Sequence, residues 1–259
     1  MTQQDAIVVE HQPIQGGYQL LVMRAPAVAA QVRPGQFVHV RVPHLGESVL
    51  RRPFSVFKAD GEQLAILYKS VGKGTRTLQY LKPGETLNLV GPLGHGFPAP
   101  QPATYPVIVA GGYGMAALYL TARQSPVKGL AFFGGRKALD ILCVKEFEAL
   151  GWTVRVTTED GSLGRRGLVT EALDEWWAGE GAGRVPECFA CGPTGMLRAV
   201  SERAVRHGWT AWISADTNMG CGVGACLTCV VKVRDGEGWK WARSCHEGPV
   251  FAARDLVWE

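Results

Sequence analysis

The sequence lacks the features that would direct the chain into a membrane or out of the cell. Its N-terminus, Met1 to Ile7, has no basic segment followed by an apolar core, so it does not resemble a signal peptide. No apolar run reaches the ~18 residues that a membrane helix needs. Lysine and arginine never form runs longer than a pair, and the net charge is only +4, too weak to indicate a nucleic-acid surface. We therefore expect a cytoplasmic protein with no membrane or nucleic-acid partner.

Disulfide bonds are not expected either, because a reducing compartment keeps thiols free. The 259 residues, 46% apolar and 19% charged, suit a globular protein with two modest domains or one large one. Seven cysteines then indicate metal or redox chemistry. Cys143, Cys188 and Cys191 lie in apolar surroundings and are predicted to be small core residues. Cys188 and Cys191 also have the spacing of a redox pair, although no thioredoxin-like pattern surrounds them.

The other four cysteines have the spacing of an iron–sulfur site. Cys221, Cys226 and Cys229 follow the pattern C-x4-C-x2-C, and Cys245 follows later, which is the plant-type arrangement for a [2Fe–2S] cluster. Interspersed glycines permit the positive φ values of a tight loop and let backbone N–H groups approach the sulfurs. A structural zinc ion is the alternative, but zinc sites usually pair two C-x2-C hooks, and the second hook is missing.

The first hundred residues are predicted to form a small antiparallel β-barrel, because short alternating strands are separated by Gly and Pro turns. The one predicted helix there runs from Thr75 to Leu81. Two segments could bind a phosphate group. An arginine beside a Pro-fixed strand start, at Arg52, can pair a phosphate, and glycines before the helix leave N–H groups free. Taken singly, the first segment is better interpreted as an edge strand with solvated charges and the second as an ordinary turn.

Together, the two segments resemble the flavin-binding barrel of the ferredoxin-reductase superfamily. In that family an R-x-[YF]-S strand and a following Gly-Thr hold FAD. The resemblance implies that Arg52 pairs the pyrophosphate and that Ser55 lies near flavin N5. It also implies that the strand before the Gly-Thr segment borders the flavin. The residues that it assigns to FAD are Arg52, Pro53, Phe54, Ser55, Leu67, Tyr68, Lys69, Gly74 and Thr75. His95, in a loop similar to a connector of the family, is given no role.

The middle of the chain is predicted to be a doubly wound parallel sheet. A proline-rich stretch from Pro98 to Pro106 indicates a linker. Beyond it, buried strands alternate with helices. The helices are predicted at 115–123, 138–150, 168–178 and 194–206.

A glycine turn follows the first strand of this sheet, where such folds bind a pyrophosphate. Gly111, Gly112 and Gly114 resemble the pyridine-nucleotide turn of the same superfamily, and Cys191, Gly192 and Pro193 resemble its nicotinamide segment. Two departures from the family pattern are Ala110, in place of a glycine, and Ala117, in place of a proline. The acidic strand end at Thr157–Asp160 favours NAD over NADP, although Arg165 and Arg166 lie nearby in the sequence.

The remaining segment is predicted to place Cys245 beside the first three cysteines through a hairpin that turns at Asp235-Gly236. Trp239 and Trp241 fall on one face of this hairpin. Such residues are predicted to be core, with a docking surface as the alternative. The expected architecture is thus a β-barrel at 1–98, an α/β nucleotide domain at 103–213 and a small cluster segment at 214–259.

This order of domains, with Cys245-His-Glu-Gly-Pro-Val-Phe251 at its end, resembles the electron-transfer subunits of class 1B dihydroorotate dehydrogenases. The resemblance covers nearly the whole chain. It implies an oxidoreductase subunit that binds FAD, a [2Fe–2S] cluster and NAD, in a heterotetramer with an FMN-containing catalytic subunit of pyrimidine biosynthesis. No residue here would then act as acid or base on dihydroorotate.

Two alternatives stay open at this point. The same module could serve another partner, such as a sulfite reductase, a hydrogenase or a ferredoxin oxidoreductase. A zinc-bearing binding module with a degenerate reductase fold is the second.

Overall fold

Six antiparallel strands close into a barrel at the start of the chain in this computed structural model, which describes residues 1–46 and 50–258. Their order around the barrel is β1-β2-β5-β4-β3-β6. Val38, Val40 and Leu89 are among the side chains that fill its interior. The strands are β1 (Thr2–Pro13), β2 (Tyr18–Arg24), β3 (Phe37–Arg41), β4 (Arg52–Asp60), β5 (Gln63–Lys69) and β6 (Thr86–Leu93).

Two short helices accompany the barrel, α1 (Pro26–Ala29) and α2 (Lys73–Leu78). The predicted helix at 75–81 therefore exists, but it begins two residues earlier and ends sooner. Val28 of α1 is fully buried in the barrel core. The predicted antiparallel barrel is confirmed.

A seven-stranded sheet follows, in the order β10-β9-β8-β7-β11-β12-β15. All neighbouring strands are parallel except β15, which runs antiparallel to β12. The strands are β7 (Tyr105–Gly111), β8 (Leu130–Gly135), β9 (Thr153–Thr158), β10 (Arg165–Arg166), β11 (Pro186–Cys191), β12 (Thr210–Ser214) and β15 (Val250–Ala252). The sheet order reverses between β7 and β11, and such switch points are where doubly wound folds bind ligands.

Helices cover both faces of this sheet, as a doubly wound fold requires. Met115 and Phe147 pack on one face, and Leu173 and Leu197 pack on the other. The helices are α3 (Gly114–Ala117), α4 (Tyr119–Gln124), α5 (Val144–Ala149), α6 (Val169–Ala178) and α7 (Thr194–His207). The predicted doubly wound sheet is confirmed.

Two of the predicted helices differ from the structure. The helix at 115–123 is broken at Leu118 into α3 and α4. The helix at 138–150 is wrong, since Ala138–Asp140 makes one 3-10 turn and α5 begins only at Val144. Between them Ile141 is extended and buried, and its carbonyl accepts a hydrogen bond of 2.7 Å from Gln15 of the barrel. Contacts with the barrel thus override the local helical pattern.

The last segment adds a two-stranded hairpin, β13 (Val230–Asp235) and β14 (Gly238–Arg243), which turns where the sequence predicts. The strand β15 then returns to the large sheet, an edge position that the sequence pattern did not indicate. Within the described residues no helix combines the length and the hydrophobicity that a membrane span requires.

Candidate functional site

The four cysteines of the predicted cluster lie together as two pairs. Cys221 and Cys226 are joined by hydrogen bonds in both directions, since the backbone N–H of each donates to the sulfur of the other at 3.4 Å. In the second pair, the N–H of Cys245 donates to Cys229 Sγ at 3.4 Å. The Gly224 N–H donates to Cys245 Sγ at 3.1 Å, which connects the loop to the later cysteine. The predicted convergence of a tight loop and a distant cysteine is therefore present.

Backbone N–H groups surround the sulfurs of this loop. Val223 and Ala225 donate to Cys221 Sγ at 3.5 and 3.2 Å. The loop can fold this tightly because Gly222 has a φ of +72°, a conformation that L-residues rarely adopt. Donors aimed at sulfur stabilise the thiolate form and tune the potential of a bound cluster, so this loop suits thiolate ligands.

The four sulfurs differ in their surroundings. Cys226 is exposed, and hydrogen bonds from Thr228 and from the loop backbone lower the pKa of its thiol to about 6. Cys229 and Cys245 are buried, and desolvation raises the pKa of the Cys245 thiol to about 12. One of the four cysteines therefore lies at the protein surface and two lie beneath it.

The thiols do not close on one point. Among residues 1–46 and 50–258, no three or more His, Cys, Asp or Glu side chains are gathered tightly enough to hold one metal ion. Hydrogen bonds between backbone N–H groups and sulfur instead link Cys221 with Cys226, and Cys245 with Cys229. Four cysteines with backbone donors aimed at their sulfurs form a donor set that fits an iron–sulfur cluster.

The barrel forms the base on which the cluster loop lies. Phe37 of β3 and Leu93 of β6 form an apolar cluster with Cys229 and Cys245. On the same strand, His39 is 1% exposed, and its Nδ1 lies 3.1 Å from the carbonyl oxygen of Cys221. Burial lowers the pKa of this imidazole to about 4, so it is neutral at physiological pH.

The residues predicted to bind the FAD pyrophosphate meet at one end of the barrel. Arg52 lies against Gly74, since a Cβ at that glycine would be 2.9 Å from Arg52 Nε. Thr75 Oγ1 accepts hydrogen bonds from the N–H groups of Val71 and Gly72 at 2.9 and 3.0 Å, which fixes the turn before α2. The structure thus brings Arg52, Gly74 and Thr75 together, with a guanidinium beside a helix start.

The rest of the predicted FAD set divides between a cleft and the protein core. Pro53 and Ser55 line a narrow cleft between the barrel and the end of β12, opposite Asp216. By contrast, Phe54 and Tyr68 are buried in the barrel core, with ring centroids 5.4 Å apart. Leu67 is also buried, on the opposite face of β5 from Tyr68.

A cavity of about 770 Å³ lies between the barrel and the large sheet, within the size range of cofactor sites. It includes the switch point of the sheet, because Gly111 and Gly112 from the end of β7 and Gly192 and Pro193 from the end of β11 line it. Gly112 has a φ of +55° and faces Tyr18 across the cavity.

The other two members of the predicted nucleotide set lie beneath the cavity. Gly114 is buried against the backbone of Cys191, where a Cβ would be only 2.2 Å from the Cys191 carbonyl oxygen. Cys191 is itself 2% exposed. Gly114 therefore permits close packing of α3 on β11, and this packing shapes the floor of the cavity.

Lys69 lines this cavity from the barrel side. Its Nζ donates to Asp140 Oδ1 at 2.8 Å and lies 4.6 Å from the centroid of the Tyr18 ring. Burial opposes ionisation of Asp140, but the hydrogen bond and charge of Lys69 outweigh it, and the pKa of the carboxyl is lowered. This ion pair joins the barrel to the 3-10 turn at Ala138–Asp140, which follows β8 of the large sheet.

Comparison with known proteins agrees with this arrangement. Residues 5–97 match an oxidoreductase FAD-binding domain, and residues 216–257 match the iron–sulfur cluster binding domain of dihydroorotate dehydrogenase B. The chain is 37% identical over 242 residues to the electron-transfer subunit of dihydroorotate dehydrogenase B (NAD(+)) from Desulforamulus reducens, covering 91% of this chain and 90% of that protein. The Bacillus cereus subunit is 35% identical over 99% of both chains.

The chain belongs to the family of dihydroorotate dehydrogenase B electron-transfer subunits. It is a flavin and iron–sulfur oxidoreductase subunit, as the sequence predicts. A solved structure described as an NADH-dependent reduced ferredoxin–NADP oxidoreductase, studied for flavin-based electron bifurcation, also aligns with this chain. The TM-score is 0.84 at 28% identity, over 98% of this chain and 90% of that one.

Of the three remaining cysteines of this electron-transfer subunit, two have the predicted core positions, whereas Cys143 is only partly buried at the start of α5. Cys188 and Cys191 are buried, and desolvation raises the pKa of each thiol to about 12. Their side chains lie in clusters on opposite faces of the sheet, so they cannot form a disulfide without unfolding β11. This arrangement argues against the redox-pair interpretation.

Trp239 and Trp241 do not have the predicted core positions in this subunit. They are 49% and 55% exposed, and their rings pack edge to face with Lys232 above them. One face of the hairpin packs in the core through Val233 and Ala242, and the two tryptophans lie on the opposite, exposed face.

Four residues of this subunit's sites are missing from the sequence prediction: His39, Tyr18, Asp140 and Asp216. Each is isolated in a strand, a turn or a strand end, without a motif around it. His39 could have been noticed only as a polar residue in an apolar strand, a signal that does not indicate a cluster.

Proposed function

We propose that this chain carries electrons from an FMN-containing catalytic subunit to NAD⁺, through a [2Fe–2S] cluster and FAD. The family supports an electron-transfer subunit, and the relatives' names include NAD(+). The observation that carries the proposal is the position of the two thiol pairs, which lie against the same barrel wall that bears the FAD motif. The electrons would come from the oxidation of dihydroorotate in pyrimidine biosynthesis.

The cluster would be held by Cys221 and Cys226 on one iron and by Cys229 and Cys245 on the other. Backbone donors around these sulfurs favour the thiolate state that ligation requires. Because Cys226 is the exposed ligand, electrons from a partner would enter on the surface around it.

The flavin would be held by the phosphate-binding corner of the barrel and by the cleft. Arg52 supplies charge for the pyrophosphate beside Gly74 and Thr75, and Ser55 supplies a hydroxyl in the cleft opposite Asp216. Pro53, Phe54, Leu67, Tyr68 and Lys69 would shape the wall. When bound, FAD can accept electrons one at a time and release them as a pair.

The dinucleotide would occupy the cavity at the switch point of the sheet. Gly111, Gly112, Gly192 and Pro193 line it, and Gly114 and Cys191 support them. We propose NAD over NADP because Glu159 lines the cavity, whereas Arg165 is paired with Glu171 and Glu175. A carboxylate repels a 2′-phosphate, and a neutralised arginine attracts it less.

The three proposed segments, 1–98, 103–213 and 214–259, would then correspond to FAD, nucleotide and cluster sites. We propose a heterotetramer of two such subunits and two FMN-containing subunits. The experiment is to isolate the native complex under anaerobic conditions, to add dihydroorotate and then to add NAD⁺. Bleaching of FMN, cluster and FAD absorbance, followed by NADH formation, is expected.

A second candidate has its own support, since this chain resembles the ferredoxin–NADP oxidoreductase structure over 98% of its length. The same module would then serve a different partner. This second candidate is correct if the complex contains no FMN, does not react with dihydroorotate, and loses flavin and cluster absorbance on addition of reduced ferredoxin.

A further inference from the structure

The outer face of β3 contacts most of the proposed cluster site. Phe37 and His39 are two residues apart, so they project from the same face, while Val38 and Val40 fill the barrel. Phe37 packs with Cys229 and Cys245, and His39 contacts the Cys221 carbonyl. One face of one strand therefore contacts three of the four cysteines.

The strand beside β3 carries the predicted FAD motif in direct register. The pairs across the two strands are Phe37 with Ser55, Val38 with Phe54, His39 with Pro53 and Val40 with Arg52. Neighbouring strands lie about 4.8 Å apart, and facing residues share a side of the sheet. The strand β3 is thus common to both proposed redox sites, and any shift of the cluster loop along it changes the distance between them.

The contact between His39 and the loop is close and directional. A carbonyl only accepts hydrogen bonds, so His39 must donate through Nδ1–H to Cys221 O. The ring also lies against Gly222, where a Cβ would be 2.5 Å from Nδ1. On the other side of the strand, Arg51 donates to the carbonyl oxygens of His39 and Asn88 at 3.5 and 3.0 Å.

The other side-chain contacts around the cluster loop do less to fix its position relative to the barrel. Thr217 donates to Cys229 O, and Arg243 donates to Gly224 O, but both belong to the cluster segment and would move with it. His95 lies 2.8 Å from His246 O, on the exposed side and beyond Cys245. His39 is the buried side chain that joins the barrel wall to the first ligand.

We propose that His39 is a positioning residue that fixes the cluster loop to the flavin-binding wall of the barrel. Its N–H holds the first ligand's backbone at one register position of β3, and so sets the separation of the two redox groups. The inference rests on the proposed function, since it needs both groups in this chain.

The test uses the full-length subunit with FAD and cluster bound, and the variants His39→Asn, His39→Gln and His39→Leu. Asparagine can place an N–H near the position of Nδ1, glutamine places it further out, and leucine has none. The matched control is His11→Leu, because Nδ1 of His11 also contacts a backbone carbonyl, that of Leu81 at 2.9 Å, in a part of the barrel that does not contact the cluster loop. Since Nε2 of His11 contacts the Tyr68 hydroxyl at 3.0 Å, only the cluster potential and lifetime are compared with this control. The measurements are rapid-mixing reduction by NADH at separate flavin and cluster wavelengths, the cluster potential by EPR-monitored titration, and cluster lifetime in air.

We expect His39→Leu to slow NADH-driven cluster reduction and to shorten cluster lifetime by about 10-fold or more, as loss of outer-shell partners typically does. Flavin reduction by NADH should be unchanged, and His39→Asn should stay close to wild type. If His39→Leu does not fold, His39→Asn and His39→Gln are compared instead. The cluster kinetics and lifetime should then stay close to wild type in His39→Asn and be impaired in His39→Gln.

Equal cluster kinetics, potential and lifetime in wild type and His39→Leu would refute the inference. So would equal defects in His39→Leu and His11→Leu, which would show general barrel destabilisation, or in His39→Asn and His39→Leu, which would show loss of volume only. A wild-type protein without iron would instead refute the proposed function.

Discussion

The cluster loop and the nucleotide turn are both glycine-rich, but their glycines serve different ends. In the cluster loop, Gly222 folds the chain so that side-chain sulfurs converge and backbone donors reach them. In the nucleotide turn, Gly114 lets one strand pack on a helix, and only Gly111 and Gly112 line the cavity. One site is made by four specific side chains and the other by the shape of the backbone.

This difference explains how well each site tolerates substitution. A thiolate ligand has no substitute among nearby side chains, so the cysteine spacing must be kept. The nucleotide turn differs from its superfamily pattern at Ala110 and Ala117, yet both side chains are buried in the packed interior and neither lines the cavity. Changes there alter packing and leave the shape of the cavity in place.

The largest effect is expected from a change in the cluster loop. Cys226→Ser should remove nearly all cluster absorbance and stop dihydroorotate-driven NAD⁺ reduction in the complex, because a ligand is lost. NADH-to-dye transfer through FAD should survive. The control Cys188→Ala, in the core of the sheet, should keep the cluster. Loss of NADH-to-dye activity in folded Cys226→Ser protein would contradict the proposed order of carriers.

The next effect concerns the flavin corner, which also depends on a charged side chain. Arg52→Ala should weaken FAD binding by about 1.5–3 kcal/mol, roughly 10- to 100-fold, through loss of a charge-assisted pair. The control Arg24→Ala removes an exposed arginine at a different position on the barrel, 3.9 Å from Glu62, and should retain FAD. Equilibrium dialysis against FAD measures the difference. Full retention by Arg52→Ala would show that another group holds the phosphate.

A smaller effect should distinguish the loss of cavity space from backbone strain in the glycine turn after β7. Gly112→Ala and Gly61→Ala introduce the same strain, since φ is +55° and +56°, and each should lose about 1–2 kcal/mol of unfolding free energy. Only Gly112→Ala adds a methyl group to the cavity, 3.2 Å from the Tyr18 hydroxyl. Its KM for NADH should therefore rise, while that of Gly61→Ala should not. An equal KM in both variants would place the dinucleotide elsewhere.

The smallest effect tests the cofactor preference. Glu159→Gln removes a carboxylate that lines the cavity, so the ratio of kcat/KM for NADH over NADPH should fall several-fold. Asp160→Asn is the control, because this neighbouring carboxylate is already engaged within its own loop. Its Oδ1 accepts hydrogen bonds from Ser162 N and Oγ at 2.9 and 2.6 Å. A preference for NADPH in the wild type would contradict the assignment at the outset.

Much of this molecule could be predicted from its sequence, where local pattern and tertiary structure agree. Strand alternation gave the barrel, buried runs gave the parallel sheet, and cysteine spacing gave the cluster site. The helix predicted at 138–150 fails because Asp140 and Ile141 are drawn into contacts with Lys69 and Gln15 of the barrel. Such long-range contacts have no local signal.

The missing site residues have the same physical cause. His39 matters because β3 lies under the cluster loop, and the two are separated by 182 positions in the chain. Trp239 and Trp241 fit a core pattern, but they lie on the exposed face of a hairpin whose other face packs in the core. Periodicity shows which residues share a face of a strand, whereas only the assembled fold shows what that face contacts.

The central claim is that four sulfurs in two pairs bind two bridged irons. Quantitative analysis of iron, inorganic sulfide and zinc in anaerobically purified protein tests it most directly. We predict about two irons and about two sulfides per chain, with no stoichiometric zinc. One zinc per chain, with neither iron nor sulfide, would contradict the account.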